Sequence, residues 1–528
     1  MADSTHHNVP GTIRLVDEGS QGEGGGGQIV LQPHPSADPE DPLNWSKGRK
    51  LRAIGMVYVY VLGIGLATTV QYSILTEIAE AQDLTVGNLN LGTGLMFLFL
   101  GWACLIWQPI AMTYGRRGVY IASALLSIIP MVWAPYSKGA GQWYAHRILL
   151  GIFAAPVEAL PEVSVPDLFF AHERGSFMAL YAFILFGSNF LAPLLAGFIN
   201  DGVGWKWTMH FGSIVLGVTA VILFFFLEDT IYFRNTTEGG SESENDNDNE
   251  KASGSQTEMA VAASYPPPRT YREKLNLVLR LPGRPTAKQT IGKSWRALCI
   301  IVFFPNIFWA GLLYGTNLSW YNVMNATMSS ILHGEPYNFA PRMVGVAYAS
   351  PLLAAAGSSF WSGWFADSMA VRLARRNNGI REPEQRLWVL LLSGLFSAGG
   401  LVLWGVGASR NVHFMGLIIG LFFVTFGVVT SSSVALAYTV DCFKEITGES
   451  MIAVIIVRNT LSFAFNYAIN PWIDSLGLQN CFVSVSLIAL VCTFSFLPMV
   501  YVGKRLRKFS AAKYWEYIAE DKNYPSSH

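Results

Sequence analysis

Residues 206–228 read KWTMHFGSIVLGVTAVILFFFLE, and between Lys206 and Glu228 there is no Asp, Glu, Lys or Arg. About 20 mostly apolar residues are enough to cross a bilayer as a helix. One such run could be a buried core helix, but this chain repeats it. Comparable runs lie at about 53–76, 91–114, 119–137, 141–166, 175–200, 297–324, 342–366, 387–408, 412–440, 450–473 and 480–503, twelve in all with the first. The composition agrees. Of 528 residues 51% are hydrophobic and 14% charged, against about 25% charged in a soluble domain. Mean hydropathy is +0.34. With 36 basic and 36 acidic residues there is no basic surplus for nucleic acid. An ordinary soluble enzyme and a wholly disordered chain are excluded on the same numbers. The reading is an all-α polytopic membrane protein with 12 transmembrane helices.

The tracts between the runs set the domain plan. Residues 1–50 are polar and glycine-rich, with no apolar leader, and read as a disordered tail. Residues 51–228 hold six spans. Residues 229–295 include SESENDNDNEKASGSQTE (241–258) and PPPR (266–269), too polar to form a core, and read as a largely disordered linker. Residues 296–503 hold six more spans, and 504–528 form a C-terminal tail. Thirty of the 36 Lys and Arg residues fall on the side that carries both termini and the linker; Lys138, Lys206, Arg342 and Arg410 fall on the other. By the positive-inside rule, the termini and linker are cytosolic. Asn325, in N-A-T near the expected outer end of span 7, is then a candidate glycan acceptor, while the sequons at Asn44 and Asn235 are silent.

No enzyme chemistry is visible. The five cysteines form no C-x-x-C and sit in or beside apolar runs, as small buried hydrophobes do. Gly24–Gly27 is not followed by a Lys-Ser/Thr pair, so there is no phosphate-cradling loop. No cluster has metal-ligand spacing. No catalytic residue, cofactor or metal is expected.

The halves echo each other. Q-P-I-A-M-T-Y-G-R-R (108–117) follows span 2, and S-G-W-F-A-D (362–367) with Arg372, Arg375 and Arg376 follows span 8. V-P-D-L-F-F (165–170) ends span 4 and T-V-D-C-F-K (439–444) ends span 10. With D-P-L-N-W-S (41–46), R-I-L-L-G (147–151), D-L-F-F-A-H-E-R-G (167–175) and N-N-G-I-R-E-P-E-Q-R-L (377–387), the chain resembles the major facilitator superfamily. Within it, the chain resembles the fungal twelve-span drug:proton antiporter-like transporters, a clade that also includes a yeast polyamine and cation importer. The resemblance covers nearly the whole chain and implies two six-helix bundles that rock about a central site. The chain departs from the family loop motif at Gln108 and Met112, and from the span-5 antiporter motif at Ala192 and Ala196.

Charges within spans mark candidate sites, since each costs about 2.5–3.5 kcal/mol to insert. Arg147, Gly151, Glu158 and Glu162 lie within about 60° on span 4 at 100° per residue. Pro156, Pro161 and Pro166 interrupt the same helix. Glu158 and Glu162 are expected to exchange protons or bind a cation, with Arg147 as competitor. Gln71 and Tyr72 on span 1, Arg147 on span 4, Asn306, Asn317 and Tyr321 on span 7, and Arg458 and Asn466 on span 11 are expected to line the substrate cavity. The resemblance further implies latches at the cytosolic ends: Arg116 or Arg117 with Asp167 in the first half, and Asp367, Arg376, Glu384, Arg386 and Asp441 in the second. The expected function is proton-coupled export of a small organic compound by a monomer in the plasma membrane, with protons as coupling ion and the lipid bilayer as its solvent. The alternatives are proton-coupled uptake of an organic cation such as a polyamine, and a non-transporting nutrient sensor on the same scaffold.

Overall fold

A computed structural model describes residues 9–14, 38, 40–232, 270–277, 287–377 and 380–522. The acidic tract 241–258, the prolines 266–268 and Asn235 lie outside them.

Span 1 starts where the sequence caps it. The Asp41 carboxylate accepts from Leu43 N, the Ser46 hydroxyl accepts from Arg49 N, and the helix runs Lys47–Thr69. Such caps satisfy backbone donors that have no intrahelical partner. Arg49 lies over the Trp45 ring at 3.8 Å and pairs with Glu228 at the end of span 6. The D-P-L-N-W-S segment therefore fixes the entry of span 1 against span 6. Span 2 is Val86–Tyr114, span 3 Arg116–Tyr136, span 4 Gly139–Leu168, span 5 Phe177–Val203 and span 6 Trp205–Phe226. Span 4 is broken between Ala154 and Pro156, as its first proline requires. Where spans 2 and 4 cross, a Cβ on Gly151 would stand 2.3 Å from the Met96 carbonyl oxygen. Gly151→Val is expected to cost about 1–3 kcal/mol by overpacking, read as a lower Tm in detergent.

In the second half, span 8 is Pro341–Arg376, span 9 Pro383–Ser409 and span 10 Phe414–Cys442. The long helix Lys444–Glu520 leaves helical geometry at Gly477, with φ 75° and ψ 160°. Beyond that break the chain returns along span 9: Ser486 donates to the Ala398 carbonyl, and a Cβ on Gly405 would meet Phe482. It therefore holds spans 11 and 12. Counted with span 7, the described residues cross the membrane twelve times, all by helices. The fold is all-α, two groups of six.

Three expectations change. The apolar run at 297–324 is not one span: Gly292–Phe303 and Pro305–His333 meet at 89°. The first segment lies across the bundle, with Trp295 and Val302 exposed, and only Pro305–His333 crosses as span 7. Domain edges drawn at 295 and 296 thus fall inside the lateral helix Ala287–Phe303. Secondly, the described parts of the N-terminal tail are ordered. Ile13–Arg14 pairs antiparallel with Ile380–Arg381 in the loop between spans 8 and 9. Thirdly, Asn325 is 2% exposed and its side-chain oxygen accepts from Tyr348 OH at 2.9 Å. It sits eight residues inside His333, about 12 Å below the helix end. A buried, bonded amide cannot carry a glycan, so a glycosidase that removes Asn-linked glycans should leave the chain's gel mobility unchanged.

Candidate functional site

Near mid-membrane an ion pair joins the two bundles. Span 4 resumes at Pro156 and sets Glu158 in its first new turn. Span 11 brings Arg458 to it, and the guanidinium donates to the Glu158 carboxylate. The side chains are 11% and 4% exposed, so neither charge has bulk water to return to. Arg458 also donates to Tyr314 OH at 2.8 Å and lies 4.6 Å from that ring's centroid. Its third contact is the Asn459 side-chain oxygen at 3.4 Å. Removing one partner of such a pair costs about 3–5 kcal/mol, because the other charge stays buried.

Glu162 lies one turn further along the same face. Its Oε2 is buried and accepts no hydrogen bond among the described residues. Glu158 and Arg458 are close enough to act on it electrostatically. Tyr181 on span 5 closes the other wall, donating to the Val157 carbonyl at 3.4 Å. The centre of the protein thus carries two carboxylates, one arginine and two phenol rings, with Glu162 Oε2 and Arg458 Nε buried and unpartnered among the described residues.

Arg147 is elsewhere. It is 1% exposed and points to the Thr68 carbonyl of span 1 at 3.4 and 3.5 Å, well above Glu158 along span 4. Sharing a helix face with Glu158 did not make them partners. Gln71 donates to Thr93 at 2.9 Å, and among the described residues its oxygen and the buried Tyr72 hydroxyl have no hydrogen-bond partner. Tyr321 crosses between bundles to the Asn189 carbonyl at 3.3 Å. The neighbouring Asn322, not among the span-7 residues expected from sequence, has both amide atoms buried and unpartnered among the described residues. Tyr72 of the first bundle and Tyr321 of the second lie close enough to act on each other electrostatically, on the side away from the termini.

Three expected cavity residues are corrected. Asn306 is the second residue of span 7, at its terminus-side end, and donates to Tyr438 OH at 2.7 Å and the Gly503 carbonyl at 3.2 Å. The bend at Phe304 puts it there rather than in the cavity. Asn317 bonds the Leu313 carbonyl at 2.9 Å and Thr493 at 3.4 Å, tying span 7 to span 12. Asn466 bonds back to the Ser462 carbonyl at 2.8 Å and packs on Gly94, where spans 11 and 2 meet.

The side away from the termini is closed between bundles. Thr76 meets Ser329 at 2.9 Å, Asn90 donates to the Ala326 carbonyl at 3.4 Å, and Gly197 and Gly345 bring spans 5 and 8 together.

At the terminus side both latches have geometry. Arg116 pairs with Asp167, while Asp229 accepts from the backbone N–H of Arg116 and Arg117 at 3.3 Å each. Arg117 donates to the carbonyls of Leu227 (2.7 Å), Phe224 (2.6 Å) and Leu275, stitching the linker to the first bundle. In the second half Arg386 joins Asp367 to Asp441, the latter at 3.4 Å. Arg381 reaches Asp441 at 3.6 Å. Glu384 does not join that group. It pairs with Arg507 through contacts of 2.7 and 2.9 Å. Arg376 is exposed and makes no ion pair among the described residues, which removes it from the latch. In the sequence Arg507 stands only as one of the thirty terminus-side basic residues and Asp229 is not singled out; nothing in their local sequence separates them from their neighbours.

Comparison with known proteins gives a consistent picture. An uncharacterised MFS-type transporter of Schizosaccharomyces pombe is 28% identical across 97% of this chain and 94% of its own length. Protein HOL1 of Saccharomyces cerevisiae is 24% identical across 93% and 92%. The trichosetin biosynthesis cluster MFS transporter of Gibberella fujikuroi is 24% identical across 91% of each. A POT peptide transporter solved with sulfate has the same fold, with TM-score 0.60 at 14% identity over 88% of this chain and 96% of that one. The model of the Major Facilitator Superfamily matches residues 57–465. The chain is a transporter of the Major Facilitator Superfamily.

Proposed function

We propose that this transporter moves a small organic cation in exchange for a proton. The observation that carries the reading is the unpartnered buried oxygen of Glu162 beside the Glu158–Arg458 pair. A carboxylate without a partner inside a helical bundle is costly as an anion. A proton or a cation removes that cost, and both cannot occupy the group at once. Competition of this kind is what coupling needs. The rings of Tyr181 and Tyr314 suit an ammonium group with an apolar body. The Glu158–Arg458 pair must break or re-form when the bundles rock, so occupancy at Glu162 and the alternation between states are linked. The transporter works as a monomer in the plasma membrane, with its termini in the cytosol.

A second reading has one observation behind it: the similarity to a biosynthesis-cluster transporter favours export of a secondary metabolite. Purified protein in liposomes with an internal pH dye separates the two. Polyamines, quaternary ammonium compounds and neutral metabolites are added in turn. Dye response with the cations supports the proposal; response with neutral compounds alone overturns it.

A further inference from the structure

Six residues near the N-terminus lie on the wrong bundle. Val9–Arg14 precede the first six spans yet dock entirely on the second. Ile13 and Arg14 pair with Arg381 and Ile380. Arg507, wholly buried, gives Nη1 to the Pro10 carbonyl and to the Thr12 hydroxyl at 3.2 Å, while Nε and Nη2 hold Glu384. Gly11 has φ +78°, and a Cβ there would stand 2.5 Å from the Asp441 carbonyl oxygen and 3.0 Å from Cys442 Cα. The segment therefore joins the loop between spans 8 and 9, the end of span 10 and the helix after span 12. Arg381, held by the strand pairing, is one of the two arginines on Asp441.

The attachment is small. Two residues of ladder do not make an independently stable sheet. A cavity of about 30 Å³ remains between Gly11, Arg381, Pro383, Asp441 and Lys444, room for one water. Of Val9–Thr12, Pro10 is buried and the other three are half-buried.

We propose that Val9–Arg14 is a releasable strap: docked, it locks the second bundle's terminus-side latch and covers the end of span 10; undocked, it frees Arg507 and loosens Arg381 from Asp441. This does not depend on the substrate or on coupling. Its partner is this chain's own N-terminus, because backbone pairing, the positive-φ glycine and the Arg507 contacts fit that segment's six residues.

Cys442, fully buried directly behind Gly11, reports the state. The test uses full-length protein in detergent with Cys104, Cys299, Cys481 and Cys492 replaced by alanine, and follows maleimide addition to Cys442. Deleting residues 2–14 is expected to speed labelling about tenfold or more, the scale set by losing hydrogen bonds to a buried charged group. Gly11→Val in the full chain should do the same, since its side chain has no room. A synthetic peptide of residues 6–17 added to the deleted protein should restore slow labelling; the same peptide with Gly11→Val should not. That rescue excludes a latch that has merely unfolded. Equal labelling in all proteins, or fast labelling that the native peptide leaves unchanged, would overturn the strap.

Discussion

Glu162→Gln is expected to abolish proton-driven accumulation of substrate while leaving exchange of substrate across the membrane measurable at raised substrate concentration. Gln keeps the shape and hydrogen-bonding capacity of a protonated Glu and cannot ionise. If Glu162 carries the coupling proton, the variant is fixed in the protonated-like state. The bundles can still alternate, because the Glu158–Arg458 pair is intact, but the gradient has no group to act on. Net flux driven by a pH step should fall at least about tenfold, corresponding to about 1.4 kcal/mol of lost coupling. The pH dependence of flux should flatten as well. Counterflow of labelled substrate in liposomes at equal pH checks the first half, and dye-reported proton movement the second. Wild-type pH dependence in Glu162→Gln would sink the assignment, and Glu158 would then be the remaining carboxylate at the centre.

The second large effect concerns the bridging pair. Arg458→Gln leaves Glu158 buried and unpaired, and is expected to cost about 3–5 kcal/mol. That is a large share of the ~5–15 kcal/mol by which a typical domain is stable, so folded yield should collapse. Glu158→Gln is milder, because Arg458 keeps its contacts to Tyr314 and Asn459. The double variant Glu158→Gln with Arg458→Gln removes both charges and should recover most of the yield lost in Arg458→Gln. Thermal stability by size-exclusion in detergent reads all three and closes a double-mutant cycle. Additive losses would mean that the two groups do not depend on each other, contrary to their geometry.

The fold was largely legible from hydropathy, and the reasons for the exceptions are physical. Twelve apolar runs and the split after Glu228 follow from what a bilayer requires. The run at 297–324 misled because both arms of the 89° bend are apolar, the lateral arm exposing Trp295 and Val302. Pro305 marked the break, but a proline inside an apolar run also occurs in Pro109, Pro130 and Pro193 without ending a helix. The candidate site was legible one helix at a time. Helical spacing placed Glu158 and Glu162 on one face of span 4. It could not say that Arg458, 300 residues away, rather than Arg147 on the same face, would answer Glu158, since that depends on where spans 4 and 11 approach. Arg507 and the Val9–Arg14 strap carry no local signal at all. Their pairing exists only once the two ends of the chain share a surface.

The most direct test of the central claim is proton release on binding, measured in weakly buffered detergent solution with a pH indicator. Spermidine and tetraphenylphosphonium serve as the cations, applied to wild-type protein and to Glu162→Gln. The account predicts that a bound cation expels about one proton from wild-type protein, and that Glu162→Gln, fixed in the protonated-like state, releases none and binds the cation more weakly. Binding without proton release by wild-type protein would contradict competition at Glu162 and with it the coupling mechanism.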